Sequence, residues 1–192
     1  MQAVKNPEIT VLLNEISSGR TDAFDDLLPL VYDQLKRLAH HRLAREYNPS
    51  TLATTGLVHE AYLKLVRNPD RVNWKDRNHF YAVASRAMRQ VLVGRAIARK
   101  AIKRGSDSEH VSVDDVVPMS DARAAELIAL DEGLKELARI NPRVAQVVDL
   151  RYFGGFSISE AAEILGVSDA TVNRDWRVAR VWLFDFMNVL PA

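Results

Sequence analysis

The chain has 192 residues, 47% hydrophobic and 27% charged, an ordinary globular composition with length for one domain or two small ones. It contains no cysteine, which excludes disulfides and thiolate metal sites, and no apolar run approaches the ~20 residues needed to span a bilayer. The net charge of +1 hides a polarised distribution, with +8 on residues 1–104, −4 on residues 105–125 and −3 on residues 126–192. A cationic N-terminal half fits an anionic polymer as ligand, since each neutralised phosphate releases counterions. A solvated basic face with no ligand explains the charge equally well.

Met1 to Thr10 is polar and lacks a signal-peptide core, so the expectation is a cytoplasmic protein with no membrane insertion. The periodicity predicts an all-α fold. A first helix is expected from Ile9 to Ser17, stopping at Gly19. A second begins at a Thr21 cap, with Asp22 and Asp25 near its positive end, and runs through Leu43 to the Asn48-Pro49-Ser50 break. A third covers Ala53 to Val66, and Asn68-Pro69-Asp70 ends it. After a loop containing Trp74, a fourth carries the cleanest apolar stripe: Phe80, Val83, Ala84, Ala87, Met88, Val91 and Leu92. That helix is expected to leave Arg86, Arg89 and Gln90 on its other side and to continue into Arg95, Arg99, Lys100, Lys103 and Arg104. Arg95, Arg99 and Lys103 stand four residues apart, a basic rail suited to a DNA backbone. Gly94 interrupts it at a cost of ~1 kcal/mol relative to alanine, marking a bend or a close approach to DNA. The preceding loop, with Asn73, Trp74, Lys75, Arg77, Asn78 and His79, mixes the aromatic and hydrogen-bonding groups that hold an unstacked base. Phe80 begins the apolar stripe and reads as core, whereas Trp74 suits base capture and core packing alike.

Residues 105–121 are acidic, Ser-rich and aperiodic, and read as a flexible linker between domains at 1–104 and 122–192. Helices are expected at 122–139, 142–152, 157–165 and 169–187. Ser157 to Trp176 reads as a helix-turn-helix. Ser157 and Glu160 form a capping box, Ala161 and Ala162 allow a close crossing, Gly166 turns left-handed, Val167 plugs the core and Ser168 caps the second helix. Val172 faces inward, and Thr171, Asn173, Arg174 and Arg177 face outward. In such motifs the second helix enters the major groove. Asn173 and Arg174 can then read adenine and guanine, while Arg177 and Arg180 hold phosphates. Asp169 and Asp175 add unwelcome negative charge there, although Asp169 also stabilises the helix N-terminus. A helical hairpin with surface arginines is the plain alternative.

The run Thr55-Gly-Leu-Val-His-Glu-Ala-Tyr-Leu-Lys-Leu resembles the polymerase-docking motif of sigma factor domain two. Trp74 and His79-Phe-Tyr-Ala-Val-Ala-Ser-Arg-Ala-Met-Arg-Gln-Val-Leu resemble its promoter-melting, −10-reading helix. Leu130, Asn141-Pro142-Arg143, Leu150-Arg-Tyr-Phe and the helix-turn-helix resemble domain four, which reads the −35 element. With two such domains and nothing between them but a linker, the chain resembles the extracytoplasmic-function (ECF) group of sigma factors. The resemblance implies core RNA polymerase and promoter DNA as partners of a chain that is a monomer when free. It adds an anti-sigma factor to the partners of many members, though no residue here points to one. It puts His59, Glu60 and Lys64 at the polymerase contact, and lets Asp107, Glu109, Asp114 and Asp115 of the linker mimic phosphates in polymerase channels. The Asn-Arg-Asp-Trp-Arg run departs from the Lys-Ser-Arg-Leu-like sequence common in the recognition helix, which bears on base preference.

No catalytic constellation is present: no phosphate-binding glycine loop, no His-Glu-x-x-His, no nucleophile elbow. His40 and His41 point to different sides of a helix, so no metal or cofactor is expected. Two other classes compete. A stand-alone helix-turn-helix regulator would need residues 53–104 only to dimerise or sense, and a scaffold protein would leave the basic rail unexplained.

Overall fold

The computed structural model describes residues 7–43, 51–66, 74–103 and 119–189. Within them the chain forms α1 (Pro7–Ser17), α2 (Ala23–Leu43), α3 (Thr51–Val66), α4 (Arg77–Lys103), α5 (Asp121–Ile140), α6 (Pro142–Val148), α7 (Ile158–Leu165) and α8 (Asp169–Val189). A π-helical turn, Asp149–Phe153, prolongs α6. No strand occurs among the described residues, and no described helix is long and apolar enough to cross a membrane. The fold is all-α, as the periodicity predicts. The expected linker lies mostly outside the described residues. Its last residues belong to the next helix: Met119 is buried, and the Ser120 hydroxyl caps α5 by accepting from the Arg123 N–H at 3.2 Å.

Local chemistry explains the boundaries. Gly19 (φ +102) ends α1, and α2 runs on through Pro29, which removes one backbone donor without stopping the helix. Asn141 caps α6 through the Val144 N–H at 3.3 Å, with Pro142 in the first turn, where no donor is needed. The Trp74 N–H donates to the Ser17 hydroxyl at 2.9 Å, tying the segment before α4 back to α1.

Packing centres on α4. Its apolar stripe faces α2 and α3, where Phe24 meets Tyr62 and Trp74 edge to face and the Tyr62 hydroxyl donates to the Phe24 carbonyl. A second face of α4, Tyr81, Ser85, Arg89 and Val93 at four-residue steps, is also buried. That face meets α5 and the π-helical turn, so one hydrophobic core runs through both halves. At the far end, Gly133 lets α5 and α8 cross closely: a Cβ there would stand 3.0 Å from Leu183 and from Phe186.

Candidate nucleic-acid interface

The turn between α7 and α8 has the expected geometry. The Ser157 hydroxyl accepts from the Glu160 N–H at 3.2 Å, and the Glu160 carboxylate accepts from the Ser157 N–H at 2.8 Å. Gly166 adopts φ 64° and ψ 34°, the left-handed conformation that costs a side-chain-bearing residue about 1–2 kcal/mol. The Val167 N–H then closes onto the Ala162 carbonyl at 3.0 Å. The Ser168 hydroxyl caps α8 by accepting from the Thr171 N–H at 3.2 Å, and Ala161, Ala162 and Val172 are buried beneath. The Ser159 hydroxyl donates to Asp169 at 2.5 Å, fastening the two helices.

Above this base, α8 presents Ser168, Arg174, Arg177 and Arg180 exposed, with Thr171 and Asn173 half-buried. Asp175 does not face out. It is 3% exposed, and Arg143 of α6 donates to its carboxylate from Nε at 2.7 Å. Of the two acids expected to repel DNA, Asp175 is thus turned inward and paired, whereas Asp169 stays exposed at the start of the helix, where it accepts from the Ser159 hydroxyl. Arg151 lies 4.7 Å over the Trp176 ring, bracing the same helix from the π-helical turn.

The N-terminal segment differs more from expectation. Arg77, Asn78 and His79 form the first turn of α4 and not a loop. Asp76, which sequence reasoning passed over, caps that turn by accepting from the His79 N–H at 2.8 Å. Burial lowers the His79 pKa, against the pull of Asp76 and with some help from Lys75, so the imidazole is neutral at neutral pH. Trp74 is 2% exposed and packed among Phe24, His79 and Phe80, so of its two readings this conformation shows the core one. Lys75 is exposed, and the Arg77 guanidinium lies 5.3 Å over the Tyr81 ring. The Asn78 side-chain amide donates to the Glu163 carbonyl of α7 at 3.3 Å. Asn73 lies outside the described residues.

Further along α4, Arg86, Gln90 and Lys100 are exposed. Arg89 is not on that side. It is 7% exposed and sits between Asp149 (3.0 Å) and Asp131 (3.3 Å), because the face opposite the apolar stripe is covered by the C-terminal half. The rail is partly engaged as well: Arg95 pairs with Glu60 of α3 at 2.5 Å and Arg99 with Asp121 at 2.9 Å. The Lys103 side chain lies outside the described residues, as does Arg104. On α3, His59 and Lys64 are exposed and Glu60 is half-buried by its pairing.

The structure thus gathers the α8 cations onto one face and brings the start of α4 against α7. It withdraws Arg89 and Trp74 from the surface. Asp131 and Asp149 are the site acids that sequence reasoning missed. Asp131 stands four residues before Lys135, which reads as a surface pair, and only the tertiary packing buries it. Compared with protein-family models, the chain matches that of the ECF sigma factor over residues 6–189. No curated protein matches it.

Proposed function

Because the chain belongs to the ECF sigma factor family, whose members direct transcription initiation at promoters, we propose that it binds core RNA polymerase and carries it to −35 and −10 elements. Residues 122–192 form the −35 reader. In this reading Asn173 and Arg174 pair with base edges, and Ser168, Thr171, Arg177 and Arg180 hold the flanking backbone. Residues 1–104 hold polymerase through the α3 face bearing His59, Glu60 and Lys64. They take the −10 region through Lys75, Arg77, Asn78 and His79, with Arg86, Arg95, Arg99, Lys100 and Lys103 on the backbone. Residues 105–121 tether the two halves. RNA synthesis itself belongs to the polymerase, and the chain works in the cytoplasm, where that enzyme is. No anti-sigma factor enters the proposal.

The observation that carries this reading is a complete helix-turn-helix with exposed arginines, within a chain matched to the family over nearly all its length. Mixed with sigma-free core polymerase and genomic DNA fragments, the protein should co-purify with core and yield discrete transcription starts. Asn173→Ala/Arg174→Ala should lower initiation at those starts by at least about tenfold, since each base-reading pair contributes ~1–3 kcal/mol of discrimination. No discrete start would sink the sigma reading. Promoter binding that is indifferent to core would favour the stand-alone regulator.

A further inference from the structure

The helix proposed to enter the major groove, α8, has a fixed inner line. Val172, Asp175, Ala179 and Leu183 are buried along it, at the three- and four-residue steps of one helix face. Arg143 holds the Asp175 carboxylate at 2.7 Å and Arg151 lies 4.7 Å over the Trp176 ring, which together fix the rotation of the helix about its axis. The side opposite that line carries Ala170, Arg174, Arg177, Val178 and Val181, all exposed. Thr171 and Asn173 lie on its flanks and are half-buried.

Two valines are out of place there. A solvent-facing helix position favours Ala, Lys, Glu or Arg, because a β-branched side chain loses χ1 freedom and leaves apolar surface in water. Val181 belongs to another surface: with Leu130, Tyr152 and Phe184 it lines a groove between α5 and α8. Val178 lies outside that groove, 50% exposed, one turn beyond Arg174 and beside Arg177. It is an apolar side chain set between two cations that read or hold DNA. In the major groove the apolar group on offer is the C5-methyl of thymine, which the other three bases lack.

We infer that Val178 is a specificity-determining residue of this chain, whose isopropyl group packs on a thymine methyl of the −35 element. This assignment rests on the placement of α8 in the major groove proposed above. Four residues of helix advance about 6 Å, close to two base-pair steps at ~3.4 Å. The thymine therefore stands about two base pairs from the base that Arg174 reads. Arginine selects guanine by hydrogen bonds. The valine selects by excluding water from a methyl group, and it rejects cytosine, whose amino group would face an apolar side chain without a partner.

Deoxyuridine differs from thymidine only by that methyl, which isolates the contact. Duplexes retained from a random pool by the full-length chain, alone and with core polymerase, give the preferred sequence, and each thymine in it is then replaced in turn. For the parent, one replacement should weaken binding about fourfold, the effect of leaving one carbon unburied. That position should lie about two base pairs from the guanine whose preference is lost in Arg174→Ala. Val178→Ala should bind the all-thymine duplex at least about fourfold more weakly and be indifferent to deoxyuridine at that position alone. Its urea midpoint should equal or exceed the parent's, since the side chain is exposed. Val181→Ala should keep the parental pattern. A parent that ignores every deoxyuridine, or a Val178→Ala variant that still senses the same one, overturns the assignment. So does a uniform loss in Val178→Ala with base preference intact, which would put Val178 at a protein contact. If the methyl is sensed through Val178 but the chain starts no transcripts with core polymerase, the base contact stands and the sigma reading falls. If discrete starts appear and no methyl is sensed, the role of Val178 alone falls. A chain that selects no sequence in either form overturns both.

Discussion

Asp149 sits in the π-helical turn with almost no water around it, and burial pushes its carboxyl up to about 6. Arg89 and then Arg86 of α4 oppose that rise, and Asp131 of α5 adds to it. An ordinary aspartate loses its proton near 3.9. Between about pH 4 and pH 6 the folded chain therefore keeps a proton that the unfolded chain has released. The stabilisation this gives is complete below about pH 4 and is lost as pH rises through 6. Urea midpoints taken from pH 4 to 7 should fall for the wild type relative to Asp149→Asn, by the equivalent of up to about 3 kcal/mol for a shift of ~2 units. Parallel curves would clear Asp149 of any such role.

Among the elements, α4 carries most of the molecule, because it is a single 27-residue helix buried on two faces. Gly94 does not break it: the helix runs on through that position. The residue is exposed, and a Cβ there would meet nothing within 4 Å. Gly94→Ala should therefore raise stability by up to ~1 kcal/mol, measured by chemical denaturation. If glycine is there to let a DNA backbone approach, promoter binding should weaken in the same variant. A gain in stability with unchanged binding would leave Gly94 with no part in DNA contact. The π-helical turn after α6 is the other decisive element. Its wider turn carries Asp149 toward Arg89, and it delivers Gly154 against Ser85.

At the scale of the whole molecule, the two halves behave as partners across a packed seam. Adding a methyl group at Gly154 would force it into Ser85 Oγ (2.3 Å), the Leu150 carbonyl (2.6 Å) and the Phe156 ring (2.9 Å). Gly154→Ala should then destabilise by about 1–3 kcal/mol. The first of those contacts crosses the seam and the other two do not. A double-mutant cycle with Ser85→Ala separates them: the Gly154→Ala cost should shrink by about 1 kcal/mol when the hydroxyl is gone. Strict additivity would mean that the two halves do not touch there in solution.

The amino-acid order alone determined the helical class, nearly every helix boundary and the α7–α8 turn. These depend on local chemistry: the hydroxyl of Ser157, the carboxylate of Glu160 three residues on, the missing Cβ of Gly166, the apolar spacing from Phe80 to Leu92. Each acts within one or two turns of its own helix. The second buried face of α4 was not legible. Its members, Tyr81, Ser85 and Arg89, look like a polar surface, and only when Asp131, Asp149 and Gly154 arrive from more than 40 residues away does that surface become an interior. The same holds for Trp74, whose aromatic ring suits a base or a core until α1, α2 and α4 close around it. Periodicity registers hydrophobic burial, because apolar groups leave water whatever their neighbours. A charged or polar group is buried only where a distant partner offsets its desolvation, and that pairing is decided by the tertiary fold.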